Sequence, residues 1–597
     1  MRRARGYLEF AGRILRDVRR ILVEARADGT PRSARRVVSD LRDYASTVWA
    51  VRGGDVDEAA PRAGRLLQAH PDLLGPNQIW GAWSSRRGEL SDALASVRRL
   101  RAIADSRSLE RREADLVSRL LELDPSWLPT VAGPTTKVKP RSPRIVMHLL
   151  KASLPDRQSG YTIRSVEVLR AQVDVGLEPF VVTPYGYPPT SARRNVPALE
   201  VVDGVRHYRL APGVETRKLS GPDQLSRTAT LSVTVIRRER PALIHVASGH
   251  RGYENALVAL ALKQRLGIPM VYEVRGFLEA SWTGDEGIAR EAERAELTRL
   301  RMATEERLML AADGVATLGQ AMRDELISRG IPDDRIVVVP NGVDPEAFRP
   351  QPRDPELVRR YGLEGRWVFG YISNIDHFRE GHAQLIEATA RLVAAGRPVA
   401  CLLVGDGKLK AELQAEVARA GLGSSVIFTG RVPHDEVHAH YALLDAFVVG
   451  RLPDRASRFV TPLKPYEAMA MNIPVVVSDL AALTEIAPPD ERGLVFPVGD
   501  VAALAAVLGR LIDHPELGPS LAAAARDWVI AERTWSRNGP RYADLYRSIL
   551  DRVPARPPRR SRAATSAGAA TSAGEATAPA SPAQPVVAPP AVDDSSA

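Results

Sequence analysis

Short apolar runs of strand length recur along the middle of the chain, and segments with a helical spacing of apolar residues separate them. Apolar runs of this kind, bounded by helical segments, are typical of parallel strands that are buried on both faces. A helical pattern over residues 160–176 follows the first run. This first group predicts strands at 144–150, 179–183, 243–247, 269–274, 314–318 and 336–340, with a hairpin over 199–210 that turns at Asp203-Gly204.

The same alternation starts again after residue 365. It predicts strands at 367–373, 399–405, 426–430, 446–450, 474–478 and 493–497. Alternating strands and helices predict a parallel sheet that is covered by helices on both faces. We therefore predict an α/β protein with two consecutive Rossmann-like, doubly wound domains. The carboxyl ends of their strands are expected to face each other across a ligand cleft.

The first 130 residues are patterned as helices, and part of this region repeats. Gly54–Ala59 is echoed by Gly88–Ala93, an offset of 34 residues. This is the period of the tetratricopeptide repeat, in which paired helices stack on neighbouring pairs. The pattern predicts a tetratricopeptide-like helical region over 51–130. Two interpretations stay open: an arm that binds a protein partner, or a helical extension that only packs.

Positive charge is concentrated in residues 1–50, which hold 12 Arg against 6 Asp and Glu, a net charge of +6. Such a segment can bind an anionic membrane surface. An ordinary packed helix with solvated arginines is the alternative. Nucleic acid is not expected as a partner, because aromatic residues do not interleave with the charge. The apolar positions that recur at helical spacing are Leu8, Ala11, Ile14, Leu15, Val18, Ile21 and Leu22, and Arg13, Arg16, Arg19 and Arg20 lie largely off that stripe.

Composition excludes several classes of protein. In 597 residues, 44% are hydrophobic and 26% are charged, which are ordinary globular values and exclude a disordered or collagen-like chain. The single cysteine, Cys401, excludes an internal disulfide and a cysteine-based metal cluster, and its apolar neighbours predict a buried core residue. No uncharged stretch is long enough for a membrane span. We expect a cytoplasmic protein, with peripheral contact at the inner face of the plasma membrane as an open alternative.

Composition also suggests where the domains end. Residues 131–142 read as a linker, and 553–597, rich in Ala, Pro, Ser and Thr, are predicted to be disordered. The predicted division is 1–50 basic amphipathic segment, 51–130 helical region, 131–142 linker, 143–344 first Rossmann-like domain, 345–552 second Rossmann-like domain and 553–597 tail.

Six short motifs occur in order between about residue 144 and residue 548. Together they resemble the retaining glycosyltransferases of the GT-B fold, in the large family 4. The motifs are Ser159–Arg164, Tyr272–Phe277, Val339–Asp344, Val404–Gly407, Phe428–Pro433, and Thr461–Ala470 running into Pro474–Asp479.

The resemblance implies an acceptor domain followed by a nucleotide-sugar donor domain. It further implies a metal-independent enzyme of the hexosyltransferase type, which moves a sugar from a nucleotide-sugar to a glycan or lipid-linked acceptor with retention. Polysaccharide or cell-envelope glycan synthesis is the implied setting. No cofactor is expected, since the nucleotide-sugar is a substrate. Two alternatives stay open: a sugar-nucleotide epimerase on the same fold, and a non-catalytic scaffold in a polysaccharide assembly complex.

Three residues carry the main hypotheses about the site. Gly160 lies in a turn before a helix, where a backbone without a side chain can approach a diphosphate at the helix N-terminus; a plain tight turn is the alternative. Lys464 and Glu467 are three residues apart and share one helical face. The resemblance implies that Glu467 binds the ribose hydroxyls and that Lys464 acts at the leaving diphosphate; a surface ion pair is the alternative.

Further residues are assigned to the donor site by the resemblance, namely Ser373, Asn374, Arg431 and Glu485. Arg275 lies in a segment where many relatives place a histidine near the donor sugar. We predict that Arg275 either contacts donor or acceptor in catalysis, or forms a structural pair with Glu273 or Glu279.

Two positions depart from the family pattern. The first glutamate of the common E-x7-E motif is Phe459 here, and the loop 373–381 has Glu380 before its glycine. These departures leave open which groups meet the diphosphate charge. The candidates are Lys464, Arg379 and Arg451.

Overall fold

The computed structural model describes residues 13–24, 31–52, 55–104, 106–280, 282–283 and 286–552. One compact unit of the chain ends at Arg552. The predicted disordered tail lies outside the described residues, as do Leu8 and Ala11 of the N-terminal stripe.

A helical arm precedes the two α/β lobes. From residue 31 onward each of its helices packs on the next one in the chain. Ala59 and Ala93, equivalent positions of the repeated motif, are both fully buried. Small residues there let neighbouring helices approach closely. The helical region is therefore confirmed, whereas its identity as a tetratricopeptide repeat stays a prediction. The arm comprises α1 (13–24), α2 (Pro31–Arg52), α3 (Val56–Ala69), α4 (Leu74–Arg86), α5 (Leu90–Ile103) and α6 (Arg107–Leu123).

The apolar stripe of α1 points partly into the arm. Ile21 is fully buried, and Ile14 and Val18 pack against the same small core. Asp17 on this helix accepts hydrogen bonds from the backbone N–H groups of Leu74 (2.9 Å) and Gly75 (2.8 Å), and so caps the start of α4. The stripe is thus used in packing, as in the alternative interpretation. No described helix has the length and apolar character needed to cross a bilayer.

The first lobe, called the N-lobe, is built on an eight-stranded sheet in the order β3-β4-β2-β1-β5-β6-β7-β8. All neighbours are parallel except β3 and β4, which form the predicted hairpin. The strands are β1 (Ile145–Leu149), β2 (Glu178–Thr183), β3 (Leu199–Val202), β4 (Val205–Arg209), β5 (Leu243–Ala247), β6 (Met270–Glu273), β7 (Gly314–Thr317) and β8 (Ile336–Val338). The helices are α7 (Gly160–Asp174), α8 (Gly221–Glu239), α9 (Glu254–Leu266), α10 (Glu286–Ala292), α11 (Glu296–Ala311) and α12 (Gln320–Ser328).

The second lobe, called the C-lobe, has a six-stranded parallel sheet in the order β11-β10-β9-β12-β13-β14. Cys401 is fully buried in β10, as predicted. The strands are β9 (Trp367–Ile372), β10 (Val399–Val404), β11 (Val426–Gly430), β12 (Ala446–Val449), β13 (Val475–Ser478) and β14 (Leu494–Phe496). The helices in this part of the chain are α13 (Pro355–Tyr361), α14 (His382–Ala394), α15 (Lys410–Arg419), α16 (Val437–Tyr441), α17 (Arg455–Phe459), α18 (Lys464–Ala470), α19 (Ala481–Thr484), α20 (Val501–Asp513), α21 (Leu517–Glu532) and α22 (Asn538–Arg552).

The last helix, α22, returns to the N-lobe. Its Tyr542 and Ile549 join a core with Val146 and Leu243 of the N-lobe sheet. The predicted division at 344/345 therefore misses this helix. The outgoing and returning chains run side by side, because the Val343 N–H donates to the carbonyl of Arg533 (2.8 Å).

A buried ionic network lies beneath the N-lobe end of the cleft. The carboxylate of Glu273 accepts from Arg164 (2.7 Å) and from Arg275 (3.1 Å), and it contacts the His245 ring (2.8 Å). Burial alone would raise the pKa of Glu273, but Arg275 and Arg164 hold this pKa well below its usual range. Tyr546 of α22 bonds the other nitrogen of His245 (2.7 Å). The network thus joins the sheet to the returning helix.

Candidate functional site

The two lobes meet at a cavity of about 230 Å³, called the cleft cavity. The N-lobe supplies residues that follow β1, β5, β6 and β7 and the start of α7, and the C-lobe supplies the segment before α18. This is the edge at which parallel sheets bind ligands. The lining residues are Lys151, Gly160, Tyr161, Arg164, Ser248, Arg275, Leu278, Leu318, Asn341, Val460, Thr461 and Leu463.

Gly160 is the first residue of α7 and faces the C-lobe. The Ser159 hydroxyl caps the helix by accepting a hydrogen bond from the backbone N–H of Thr162. The Thr162 hydroxyl in turn accepts a hydrogen bond from the backbone N–H of Ser159. A Cβ atom at position 160 would lie 3.3 Å from the Leu463 side chain across the cleft. The helix N-terminus therefore opens towards the start of α18. This placement agrees with the predicted role of Gly160 at a diphosphate, a role that stays a prediction.

Lys464 and Glu467 lie on α18, one turn apart, as predicted. Their charged groups are 4.0 Å apart, and the Lys464 side chain is 35% exposed against 15% for Glu467. The Glu467 carboxylate accepts a hydrogen bond from the fully buried hydroxyl of Tyr441 (2.7 Å). Burial and the neighbouring Glu467 carboxylate raise the pKa of Tyr441 well above its ordinary value. Tyr441 therefore stays a donor, and it fixes one oxygen of Glu467.

Ser373, Asn374 and Arg431 lie just beyond β9 and β11, the two strands that flank β10 in the C-lobe sheet. Ser373 follows β9, and its hydroxyl bonds the ring of His382 (2.8 Å). The exposed Asn374 donates to Asp376 (2.6 Å), and Arg431 is exposed after β11. The Gly405 N–H donates to the carbonyl of Gly430 (3.1 Å), so the loops after β9, β10 and β11 line one edge of the sheet. Their predicted donor contacts remain untested.

A close backbone contact places the start of α14 at the same edge. Gly381, just before α14, has a φ of +76°, and a side chain there would collide with the carbonyl of Gly450. Only glycine fits such a left-handed position beside another backbone. The helix N-terminus, which favours anions, therefore lies beside the end of β12. The sequence assigned no role to Gly381, although this glycine ends the loop 373–381, which departs from the family pattern.

Arg275 lines the cleft cavity and also forms the predicted structural pair with Glu273 (3.1 Å). Its guanidinium donates to the Ser165 hydroxyl (2.6 Å) and lies over the Tyr161 ring, 4.8 Å from the centroid. The structural alternative is thus realised with Glu273, while Glu279 pairs with other arginines. A contact of Arg275 with donor or acceptor stays a prediction.

The side chain of Glu485, a C-lobe residue, lies against the start of α12 in the N-lobe. Its two carboxylate oxygens accept the backbone N–H groups of Gln320 (2.9 Å) and Ala321 (3.1 Å), the first two residues of α12. A carboxylate at a helix N-terminus is favourably placed. In this arrangement Glu485 joins the lobes, and the predicted donor contact would compete with those two bonds.

Two of the three basic candidates for the diphosphate are committed to carboxylates. Arg451 is held by Glu380, with contacts of 3.2 and 3.3 Å. Although burial alone would lower the pKa of Arg451, the Glu380 carboxylate raises it. Arg379 pairs with Asp454 (3.2 Å). Lys464, with its carboxylate partner at 4.0 Å, is the candidate with the loosest ion pair.

Two polar residues that sequence analysis did not single out line the cleft cavity where the lobes meet. Asn341 donates to the carbonyl of Thr461 in the C-lobe (2.9 Å) and accepts from Arg164 (3.0 Å). Both Asn341 and Arg164 lie inside motifs that carried the family resemblance, and this was the available signal. Their buried positions could not be read from the motifs.

A second cavity, of about 200 Å³ and called the N-lobe cavity, opens beside the first. Lys151 lines both. Its ammonium donates to the carbonyl of Gly249 (2.9 Å) and lies over the Tyr161 ring (4.5 Å). Burial lowers the pKa of Lys151 to about 8. Sequence analysis did not identify this lysine, which follows β1 with no motif around it.

Two family models match the two lobes. Residues 159–342 match the glycosyl transferase 4-like domain, and residues 366–514 match the glycosyl transferases group 1 domain. Among solved structures, the chain is similar to sucrose-phosphate synthase from Thermosynechococcus elongatus (TM-score 0.56, 20% identity, 68% of this chain and 99% of that one). HepE from Anabaena, in complex with UDP and glucose, has a TM-score of 0.53 at 17% identity over the same shares. The GT-B fold expected from the resemblance is confirmed.

Curated relatives share more sequence over shorter stretches. The 2-deoxystreptamine glucosyltransferase of Streptomyces kanamyceticus is 33% identical over 37% of this chain, and the alignment covers 57% of that protein. The GDP-mannose-dependent alpha-(1-6)-phosphatidylinositol monomannoside mannosyltransferase of Mycolicibacterium smegmatis is 30% identical, with 62% of its length covered. This chain therefore spans about three fifths of those relatives. The GDP-mannose-dependent alpha-mannosyltransferase of the same organism is 27% identical over 72% of this chain and 96% of its own length.

The Tyr441–Glu467 contact predicts a selective loss in Tyr441→Phe. Without the hydroxyl, Glu467 is free to rotate, and we expect nucleoside diphosphates to bind about tenfold more weakly, as is typical for a lost bond to a charged group. Calorimetry with UDP, GDP and ADP measures this. The preference for ribose over 2′-deoxyribose should narrow in the variant. Tyr466→Phe is the control, since Tyr466 is a buried tyrosine of α18, the helix that carries Glu467. Unchanged affinity in Tyr441→Phe would contradict the positioning of Glu467.

Proposed function

We propose that this chain is a glycosyltransferase, which moves a sugar from a nucleotide-sugar on the C-lobe to an acceptor on the N-lobe. One observation carries the proposal. The N-terminus of α7 at Gly160 faces the start of α18 across the cleft cavity, one turn from the Glu467 carboxylate that Tyr441 fixes. This is an anion-favouring helix end opposite a carboxylate suited to two hydroxyl donors.

The donor would lie with its ribose on Glu467 and its diphosphate near Lys464 and the N-terminus of α14. Several observations support this placement. Lys464 has the loosest ion pair of the basic candidates, at 4.0 Å. Gly381 brings α14 close to the end of β12. HepE, a neighbour in fold, is in complex with UDP and glucose. Ser373, Asn374 and Arg431 at the same sheet edge would complete the donor site.

Transfer is proposed to proceed with retention at the anomeric carbon. The acceptor oxygen bonds to the anomeric carbon on the face that the diphosphate leaves, and the bond from that carbon to the diphosphate breaks. The acceptor hydroxyl proton passes to an oxygen of the leaving phosphate. Lys464 and the two helix N-termini stabilise the charge that develops there. Arg275 contributes a fixed positive group in the wall, already balanced by Glu273.

The acceptor is proposed to be a glycan or a lipid-linked molecule of the cell envelope. The name of one relative supports this class, since the mannosyltransferase of Mycolicibacterium smegmatis acts on a phosphatidylinositol monomannoside. Work at such an acceptor fits a place at the cytoplasmic face of the plasma membrane. The exposed parts of α1 and α2 are the candidate contact. Leu15, Val38 and Trp49 are 69–77% exposed, and Arg16 and Arg19 are also exposed.

Glu467→Ala should lower kcat/KM by one to three orders of magnitude, because the ribose contacts are lost. This corresponds to roughly 1.4–4 kcal/mol of transition-state stabilisation. The assay follows release of nucleoside diphosphate from a panel of nucleotide-sugars with and without acceptor. Glu467→Gln keeps an acceptor for the Tyr441 hydroxyl and controls for folding, and Glu412→Ala removes an exposed carboxylate of the same lobe. Full activity in Glu467→Ala would reject the placement, and release without any acceptor dependence would argue against transfer.

Metal independence is tested in the same assay. We expect the wild-type rate to be equal with excess EDTA and with added Mg²⁺ or Mn²⁺, because Lys464 and the helix N-termini supply the positive charge at the diphosphate. A rate that falls in chelator and returns with the metal would overturn this part of the mechanism.

Membrane contact predicts salt-sensitive binding to anionic vesicles. Replacing Arg16 and Arg19 together by Gln should lower the affinity for phosphatidylglycerol vesicles, measured by co-sedimentation, by about tenfold or more. The reason is that each basic residue near such a surface contributes about 1 kcal/mol to binding. Phosphatidylcholine vesicles should not bind, and high salt should release the wild type. The paired control replaces the exposed Arg359 and Arg360 of α13. If the wild type ignores anionic vesicles at low salt, the arm is better interpreted as a protein-docking or packing element.

A further inference from the structure

The N-lobe cavity has the lining of a site for a hydroxyl-rich ligand. Aromatic rings of Tyr185 and Tyr187 lie with the polar side chains of Gln224, Arg251 and Asn255 around a volume of about 200 Å³. Small-molecule sites combine apolar walls with a few fixed polar groups that orient the ligand. The cavity adjoins the cleft cavity through Lys151. A ligand there would therefore lie beside the proposed donor.

The helical arm reaches the wall of this cavity through one carboxylate. Glu122, near the end of α6, is only 1% exposed, because it is buried between the arm and the N-lobe. It contacts Arg251 of the cavity wall (2.9 Å) and accepts from the Tyr253 hydroxyl (3.2 Å). A charge is buried at a domain interface only where it is paired. The contact therefore fixes the arm to the segment that carries Arg251.

The same carboxylate packs against a second wall of the cavity. Gly221 is the first residue of α8, the helix that supplies Gln224 to the lining. A side chain at position 221 would collide with the other Glu122 oxygen. Further along α8, the Thr130 N–H donates to Ser226 (3.1 Å). The arm and its linker thus hold both α8 and Arg251.

Arg251 is shared between two carboxylates. Glu254 accepts from the Arg251 side chain (3.0 Å) and from its backbone N–H (2.9 Å), while Glu122 holds the outer end of the guanidinium. If Glu122 were neutral, one end of the guanidinium would be free to turn into the cavity or towards solvent. The orientation of a polar group in the wall therefore depends on the arm.

We propose that the helical arm is a working part of the acceptor side of the enzyme, with Glu122 as a positioning residue that fixes Arg251 for acceptor binding in the N-lobe cavity. The inference rests on the proposed function, because it assumes that this cavity receives the acceptor. It gives the arm a direct effect on the reaction, whether or not the arm also binds a membrane.

Two variants disturb the contact from opposite sides. Glu122→Gln removes the charge from the arm, and Gly221→Ala displaces the carboxylate from the lobe. Glu113→Gln is the matched control, since Glu113 lies on the same helix but pairs with Arg98 (3.0 Å) and Arg101 (2.7 Å) inside the arm. The assay uses the full chain, the nucleotide-sugar that supports transfer, and a lipid and glycan extract of the source organism as the varied acceptor. Melting temperatures check the fold of each variant.

We expect the apparent acceptor KM to rise by about tenfold in Glu122→Gln and in Gly221→Ala, as for a lost bond to a charged group. Donor KM, acceptor-free hydrolysis and the Glu113→Gln control should stay within about twofold of the wild type. Combining Glu122→Gln with Arg251→Gln should add nothing to the effect of Arg251→Gln alone, because the two residues act as one unit. A purely structural role would instead lower every rate together or give additive losses, and either result overturns the proposal.

Hydrogen exchange gives a readout that needs no acceptor. Backbone amides of residues 249–258 should exchange faster in Glu122→Gln than in the wild type and in Glu113→Gln. Unchanged exchange there would overturn the positioning role even if transfer is never observed. A wild type with no transfer and no donor hydrolysis, but with the expected change in exchange, would fault the proposed function and leave the Glu122 contact standing.

Discussion

The buried charge of Glu273 is the constraint around which the N-lobe side of the cleft is built. An isolated carboxylate could not stay ionised in that position, so Arg164, Arg275 and His245 must all lie against it. Each of these three partners also makes a second hydrogen bond elsewhere. Arg164 also donates to the carbonyls of Val339 (2.8 Å) and Pro340 (3.0 Å), where the chain leaves the N-lobe. Satisfying one charge therefore fixes the sheet edge, one wall of the cleft cavity and the passage between the lobes.

The contacts between the lobes repeat this use of paired charge near the cleft. Arg455 of the C-lobe lies between two N-lobe carboxylates, Glu279 (2.8 Å) and Glu325. Glu485 bonds the start of α12, and Asn341 bonds the carbonyl of Thr461. Polar contacts thus frame the cleft cavity together with an apolar contact, in which Phe459 and Val460 of the C-lobe pack against the N-lobe core.

The fold could be predicted from the sequence to a large extent, because a strand that is buried on both faces is a continuous apolar run in the sequence. Runs such as Val399–Val404 and Leu243–Ala247 could be identified as strands without knowing which strands pair with them. Pairings across the chain left no such pattern in the sequence. Glu122 gave no hint that it would meet Arg251, and Glu485 gave none that it would bond α12. The two interpretations of Arg275 could be stated in advance, but which partner it takes depends on three strands and a helix that come together only in the folded protein.

The path of the chain at the lobe junction has a mechanical consequence. The C-lobe begins after Val343 and ends before α22, and these two crossings lie side by side, joined by the bond from Val343 to Arg533. Gly342 packs directly against the returning backbone, with no room for a side chain. In topological terms the C-lobe is an insertion into the N-lobe, entered and left at one point. A hinge at that point would break no strand pairing in either sheet, and Arg164 of the Glu273 network bonds the chain just before it, at Val339 and Pro340.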